Sequence, residues 1–191
     1  MRRARLSLWV LLVGSGAMGQ TTLSNETLVN TAFVVNKVSS TAKCLETGCV
    51  AKAPMFAPLS ITCPAAMGAT CTLHISLDSK LSLADGCVGS CTVRAPESFF
   101  QFLIDGKAPT IGPTDESGDY IFAWNLITAG DISHGPLIRQ SYPASVLAGV
   151  TNSGSESHTI TVNIGCRETN GDSGCEAIAR WTTMRVDVFE P

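Results

Sequence analysis

The sequence predicts an all-β protein, an antiparallel two-sheet sandwich of the jelly-roll kind with about nine or ten strands, stapled by disulfides. Apolar and polar residues alternate over many short stretches, as in half-buried strands, because successive side chains leave a strand on opposite faces. No long segment has apolar residues at helical spacing, and turn residues are frequent. The chain of 191 residues exceeds a minimal immunoglobulin-like sandwich, roughly 100 residues, which remains the alternative.

The N-terminus has the features of a secretory signal peptide. Three arginines precede a short apolar run, and Ala17-Met18-Gly19 supplies small residues for cleavage. The run is too short to span a bilayer. We therefore predict a signal peptide over 1–19, a polar surface arm over 20–30 and a single β-sandwich domain over 31–191. The expected location is secreted or extracytoplasmic, with no membrane insertion after cleavage, and Asn25 begins a glycosylation motif.

Charge limits the partners. The chain has 13 Lys and Arg against 16 Asp and Glu, and losing Arg2, Arg3 and Arg5 with the leader leaves a net charge near minus six. An acidic chain repels phosphate backbones and anionic membranes, so nucleic acid is excluded as an expected partner.

Eight cysteines follow the leader and fall into four close couples. In an exported chain, an even number of cysteines predicts disulfides. Zinc binding by two converging couples is the weaker interpretation. Nearest-neighbour pairing is predicted, because turn residues lie within each couple. The predicted pairs are Cys44 with Cys49, Cys63 with Cys71, Cys87 with Cys91 and Cys166 with Cys175.

The strands follow in order along the first half of the domain. Thr31 to Val38 is the first predicted strand. Apolar residues at odd positions from Met55 to Cys63 predict a second, which Pro54 marks as an edge strand. Alternation from Cys71 to Leu83 predicts a long third strand, with a break expected near Asp78.

The second half begins with Ser98 to Ile104, which is nearly continuous in apolar residues and predicts a strand covered on both faces. Tyr120 to Trp124, Leu137 to Tyr142 and Ser145 to Val150 are further predicted strands.

Two alternating runs close the chain, His158 to Cys166 and Cys175 to Phe189. The residues between them favour a turn. We predict a terminal hairpin closed by Cys166 and Cys175, with the last strand inside a sheet.

Four aromatic residues are weak candidates for ligand binding, because aromatic faces cover the apolar side of a sugar ring. Trp124 and Trp181 lie within apolar strand runs, which favours core positions for both. Exposure of neighbouring aromatic side chains would instead indicate sugar binding. The four candidates are Tyr120, Trp124, Tyr142 and Trp181.

The loop Asp115-Glu116-Ser117-Gly118-Asp119 carries three carboxylates, which are hard oxygen ligands suited to calcium. The loop lacks EF-hand spacing, so Asp115, Glu116 and Asp119 are only weak calcium candidates. No other cofactor is predicted.

Gly171-Asp172-Ser173-Gly174 resembles the nucleophile segment of chymotrypsin-like serine proteases. The following Cys175-Glu176 departs from that family, and no segment supplies its histidine, so a turn is the better interpretation. Three histidines, His74, His134 and His158, are the available general bases, and no spacing points to a triad.

The leading functional hypothesis is a secreted, non-catalytic binding or surface-interaction module for carbohydrate or protein. A rigid stapled scaffold presents its loops for contact. A small secreted hydrolase is the first alternative, and a pocket that gathers histidine, carboxylate and nucleophile would favour it. A structural or self-associating extracellular protein is the second. The oligomeric state is left open.

Overall fold

A computed structural model describes residues 26–44, 48–86, 93–94, 96–109, 112–124, 127–128, 138–154, 157–168 and 174–191. These ranges contain twelve strands and no helix. The strands are β1 (Thr27–Asn36), β2 (Ser40–Cys44), β3 (Val50–Pro54), β4 (Leu59–Thr62), β5 (Thr70–Gly86), β6 (Val93–Arg94), β7 (Pro96–Ile104), β8 (Asp119–Trp124), β9 (Ile127–Thr128), β10 (Ile138–Thr151), β11 (Ser157–Glu168) and β12 (Gly174–Glu190).

The strands form two five-stranded antiparallel sheets. The first sheet has the order β1-β12-β5-β10, and β2 also pairs with β12. The second sheet has the order β3-β11-β7-β8, and β4 also pairs with β11. The short strands β6 and β9 pair with each other.

The eight principal strands pair in a nested order. The first pairs with the last, β3 with β11, β5 with β10, and β7 with β8. A two-stranded antiparallel ribbon rolled into two layers has this order, which is that of a jelly roll. The predicted fold class is therefore confirmed, in preference to the immunoglobulin-like alternative.

Alternation along the strands builds the core between the sheets. Odd-numbered residues of β5 from Cys71 to Leu81 and even-numbered residues of β11 from His158 to Cys166 are buried, because each strand places every second side chain on one face. The largest inward side chains that are fully buried include Leu73, Ile75, Leu77, Phe100, Phe102, Ile160 and Ile164. Phe99 is buried as well, so β7 is covered on both faces, as predicted.

Three of the predicted cysteine pairs are disulfides in the structure: Cys44–Cys49, Cys63–Cys71 and Cys166–Cys175, with Cα atoms 5.9–6.0 Å apart. Each closes a connection between the two sheets, because the chain passes from β2 to β3, from β4 to β5 and from β11 to β12 at these points. The disulfides therefore tie one layer to the other. The pair Cys87–Cys91 lies outside the described residues.

The predicted terminal hairpin is wrong. β11 lies in the second sheet and β12 in the first, so the two strands face each other across the core. Alternation indicates which side of a strand is buried, but it does not identify the strand that accepts its hydrogen bonds. The prediction that the last strand lies inside a sheet is confirmed, because β12 runs between β1 and β5.

Several predicted boundaries also differ. β1 begins at Thr27, so four residues of the arm predicted over 20–30 belong to the first sheet. The strand predicted from Met55 to Cys63 is interrupted, since β3 ends before Met55 and β4 begins at Leu59. β5 shows no break at Asp78.

The two strands predicted between Leu137 and Val150 are a single strand, β10, which includes Pro143. A proline is tolerated there because β10 is an edge strand of the first sheet. On an edge strand, the missing N–H of proline can lie on the side that has no neighbouring strand to accept a hydrogen bond.

The predicted signal peptide and Asn25 lie outside the described residues. Within the described ranges, no helix is long and apolar enough to cross a membrane.

Candidate functional site

A depression of about 470 Å³ is lined mainly by residues of the first sheet, and Tyr120 of β8 in the second sheet also lines it. The sheet register places side chains from all four principal strands on the outer face of the first sheet. Phe33 of β1 lies opposite Arg185 of β12, and Arg185 lies opposite Ser76 of β5, which pairs with Ser145 of β10. Asp78 and Thr183 also line the depression. Polar groups therefore surround an aromatic ring that is 63% exposed.

Trp181 occupies an irregularity of β12, two residues before Thr183, which lines this depression. The register between β12 and β5 shifts between Arg180 and Thr183, which leaves Trp181 as an inserted residue. It is 59% exposed. Its φ angle of 52° lies in the left-handed region, an uncommon and strained conformation for a bulky residue. Bulges in strands re-aim side chains, and this one holds an indole ring in solvent.

Side-chain hydrogen bonds hold the polar groups of this face. Asp187 accepts hydrogen bonds from Thr31 Oγ1 at 2.8 Å and from Arg185 Nε at 2.9 Å. His74 Nε2 and Ser145 Oγ are 2.8 Å apart. These contacts fix the orientation of donors and acceptors on this face.

The structure separates the four predicted aromatic candidates. Trp181 is exposed, so the expectation that it belongs to the core is wrong. Tyr120 lines the depression, but it is partly buried and packs edge-on against Phe102 with ring centroids 6.5 Å apart. Tyr142 is partly buried against the core. The side chain of Trp124 lies outside the described part of the structure.

Phe33 was not among the predicted candidates. It stands in a run of four apolar residues, Ala32 to Val35. Because both faces of the strand are apolar over this run, the sequence does not indicate which face is exposed to solvent. The polar partners Ser76, Asp78 and Arg185 do carry a sequence signal, since they occupy the polar phase of alternating strands.

Two of the three predicted calcium ligands, Asp115 and Asp119, are engaged in other contacts. Asp115 Oδ1 accepts the backbone N–H groups of Ser117 and Asp119 at 2.8 and 2.9 Å. The Asp119 carboxylate pairs with Arg167 at 2.6 Å and Lys52 at 3.5 Å, whereas Glu116 is exposed. Among the described residues, no three His, Cys, Asp or Glu side chains form a group that could hold a metal ion.

Asp119 belongs to a charged cluster on the outer face of the second sheet. Burial raises the pKa of its carboxyl above the ordinary value; Lys52 and Arg167 oppose this shift and Asp115 adds to it. Arg167 Nε also lies 3.1 Å from Glu97.

The cations of this cluster cover a buried aromatic ring. Arg167 Cζ lies 4.8 Å and Lys52 Nζ 5.3 Å from the centroid of Phe99. Aromatic and charged side chains thus cover one another, which explains why an outward-facing phenylalanine has no exposed surface.

The three histidines have different environments. His74 lies on the outer face of the first sheet, and His134 is outside the described residues. His158 faces inward, and its Nδ1 lies 2.7 Å from Asp105 Oδ2, while its buried Nε2 has no hydrogen-bond partner. The hydrolase alternative requires a nucleophilic side chain within hydrogen-bond distance of that nitrogen. Histidine and carboxylate therefore meet as that alternative requires, but no described nucleophile completes the arrangement.

Comparisons with known proteins identify no family. No protein-family model matches the chain, and no curated protein matches it. Among solved structures, it is similar to a chain in the structure of infectious bursal disease virus Gx strain, with 11% identity and a TM-score of 0.32. The match covers 86% of this chain and 38% of the viral chain. A similarity this weak has no bearing on function.

Proposed function

We propose that the protein is a secreted, non-catalytic binding module that recognises carbohydrate on the outer face of its first sheet. The observation that carries this proposal is the exposure of Trp181 at a bulge of β12, two residues before Thr183, which lines the depression together with the exposed Phe33. The three disulfides between the sheets are compatible with an oxidising, extracellular environment.

The chemistry of the depression matches that of a saccharide. A sugar ring has an apolar face of C–H groups, which an indole or phenyl ring covers, and a rim of hydroxyl groups. Carboxylate, hydroxyl and guanidinium side chains satisfy such hydroxyl groups as acceptors and donors. Asp78, Ser145 and Arg185 provide one of each.

The spacing of the two exposed aromatics favours a chain of sugars over a single ring. Phe33 lies opposite Arg185, four positions along β12 from Trp181. With a rise of roughly 3.3 Å per residue, the two aromatic positions are on the order of 13 Å apart along the strand. Two stacking sites at this distance suit an oligosaccharide that extends along β12.

The strained backbone at Trp181 also supports a functional role. Non-glycine residues in the left-handed region cost on the order of 1 kcal/mol or more, and they concentrate at ligand sites. An exposed tryptophan gains little from burial to offset that cost. A ligand that stacks on the indole supplies the missing interaction.

A glycan array screened with the secreted protein tests the proposal. Wild-type protein is expected to bind at least one oligosaccharide. Trp181→Gly removes the ring and relieves the strain, because glycine adopts positive φ freely, so binding should fall by about tenfold or more while the fold persists.

Met67→Ala is the matched control, since Met67 is 81% exposed on the β4–β5 connection and does not line the depression. It should bind like wild type. Equal binding by wild type and Trp181→Gly, or no glycan binding at all, would refute the proposal.

A further inference from the structure

β1 is an edge strand of the first sheet, and one of its two sides has no partner strand. It pairs with β12 on one side, and no strand within the described residues pairs with it on the other. The unpaired backbone N–H and C=O groups of such an edge are a template for a further strand. The pairing with β12 is regular from Asn30 to Asn36, so β1 presents a long and even edge.

The other edge strands of the two sheets carry features that discourage such pairing. β10 contains Pro143, and β3 contains Lys52 and Pro54. Lys43 lies in β2, Asp119 begins β8, and β4 has only four residues. Proline, charged side chains and short length are usual means by which proteins protect an exposed edge. β1 has ten residues and contains neither a charged residue nor a proline.

The two edges of the first sheet also differ in how well they cover the core. In β10, the inward-facing Ala144, Val146 and Ala148 are at most 4% exposed. In β1, Ala32 and Val34 pack against the same core but are only partly buried. The sandwich therefore leaves apolar surface open along β1 that the opposite edge of the sheet does not leave open.

Exposed apolar side chains concentrate at the same edge. Among the residues that the structure describes, seven large apolar side chains are exposed, and four of these lie on β1 or two residues after it: Leu28, Phe33, Val35 and Val38. Val35 and Val38 also line a groove of about 610 Å³ together with Met55, and none of the residues that line this groove is charged. A concentration of exposed apolar surface of this kind marks an interaction site.

The partner of this edge has to be a β-strand, because extended backbone is what satisfies a row of unpaired sheet N–H and C=O groups. The strand also has to be apolar on both faces, since β1 exposes Phe33 on the outer face of the sheet and leaves Ala32 and Val34 partly open towards the core. Among the described edge strands, β1 itself meets both conditions. Two antiparallel copies of β1 bring no like charges together, because neither copy carries a charge.

We propose that the protein forms a two-fold symmetric dimer through β1, which joins the first sheets of two copies into one continuous antiparallel sheet. Both copies use the same edge, so the assembly closes at two and leaves no further edge of this kind. The apolar side chains of the second β1 extend both faces of the first and cover Ala32 and Val34. Dimerisation is independent of saccharide recognition, because pairing in the plane of the sheet leaves its outer face open.

Sedimentation velocity of the secreted protein over a range of concentrations tests the proposal. Wild type should pass from monomer to dimer as the concentration rises, and it should form no larger species. Val35→Lys places on β1 the kind of charge that protects other edge strands, so the dissociation constant of the dimer should rise about tenfold or more. Val50→Lys is the matched control, because Val50 is a 56% exposed valine on β3 of the second sheet, and it should dimerise like wild type.

Hydrogen exchange of the wild-type protein locates the interface. Backbone amides between Asn30 and Asn36 should exchange more slowly as the protein concentration rises, whereas those of β10 should not change. The proposal is overturned if wild type stays monomeric up to about 0.1 mM, if it assembles beyond a dimer, or if the concentration-dependent protection lies outside β1. Equal dimerisation of the two folded lysine variants would overturn it as well.

Discussion

Replacing Gly165 with alanine is expected to lower the free energy of unfolding by about 3 kcal/mol, at the upper end of what overpacking a protein interior costs. A Cβ atom at this position would lie 2.3 Å from two ring carbons of Phe99. Arg167 and Lys52 cover that ring, so it has no solvent-filled space into which to move. Chemical denaturation of wild type and variant measures the difference.

A double-mutant cycle separates this clash from the general cost of altering a strand. Phe99→Leu shortens the side chain that the new methyl group meets, so Gly165→Ala should cost less than about 1 kcal/mol in that background. Strictly additive costs would show that the contact between Gly165 and Phe99 is not the cause.

Arg167→Met is the second substitution with a large expected effect. It leaves Asp119 and Glu97, whose side chains are 4% and 9% exposed, without their shared cation. Removing one partner of a buried ion pair costs about 3–5 kcal/mol, and the partial exposure of Arg167 places this case at about 3 kcal/mol. Lys43→Met is the control, because its pair with Glu176 is long and exposed and is expected to contribute less than about 1 kcal/mol.

The cost of Arg167→Met should depend on pH. Burial already raises the pKa of the Asp119 carboxyl, and loss of the Arg167 charge raises it further. The variant's Asp119 carboxyl, left with Lys52 at 3.5 Å, therefore takes up a proton as the pH falls from 7 towards 4, which removes a buried charge that Arg167 no longer balances. The stability difference between wild type and variant should shrink over this range. A difference that stays constant from pH 7 to pH 4 would show that lost packing, and not unpaired charge, destabilises the variant.

The sequence predicts the layers of this fold better than it predicts their connections. Alternation predicts β5, β11 and β12 and their buried faces, because the burial of every second side chain is visible in the local sequence of each strand. The partner of a strand is a non-local property, so the sequence pattern predicts one hairpin for β11 and β12 although they belong to different sheets. Cys166 and Cys175 are close in either arrangement, and the predicted disulfide did not distinguish them.

The candidate site was only partly predictable for a related reason. Trp181 stands among apolar residues, which favoured the core, but the bulge that exposes it depends on where β12 changes partners. β1 pairs with β12 as far as Thr182, and β2 begins its pairing at Ala179. The pairing of His158 with Asp105 joins residues 53 positions apart, and no local pattern marks such a contact.

The central claim, recognition of saccharide by the outer face of the first sheet, is tested most directly by the fluorescence of Trp181. Of the three tryptophans, Trp9 lies in the predicted signal peptide, so replacing Trp124 with phenylalanine leaves Trp181 as the only tryptophan of the secreted protein. Titration with an oligosaccharide selected on the array should shift its emission to shorter wavelength, because stacking removes the indole from water. Half of this shift should occur at a ligand concentration equal to the dissociation constant measured by calorimetry. An emission spectrum that stays unchanged while calorimetry reports binding would contradict the account.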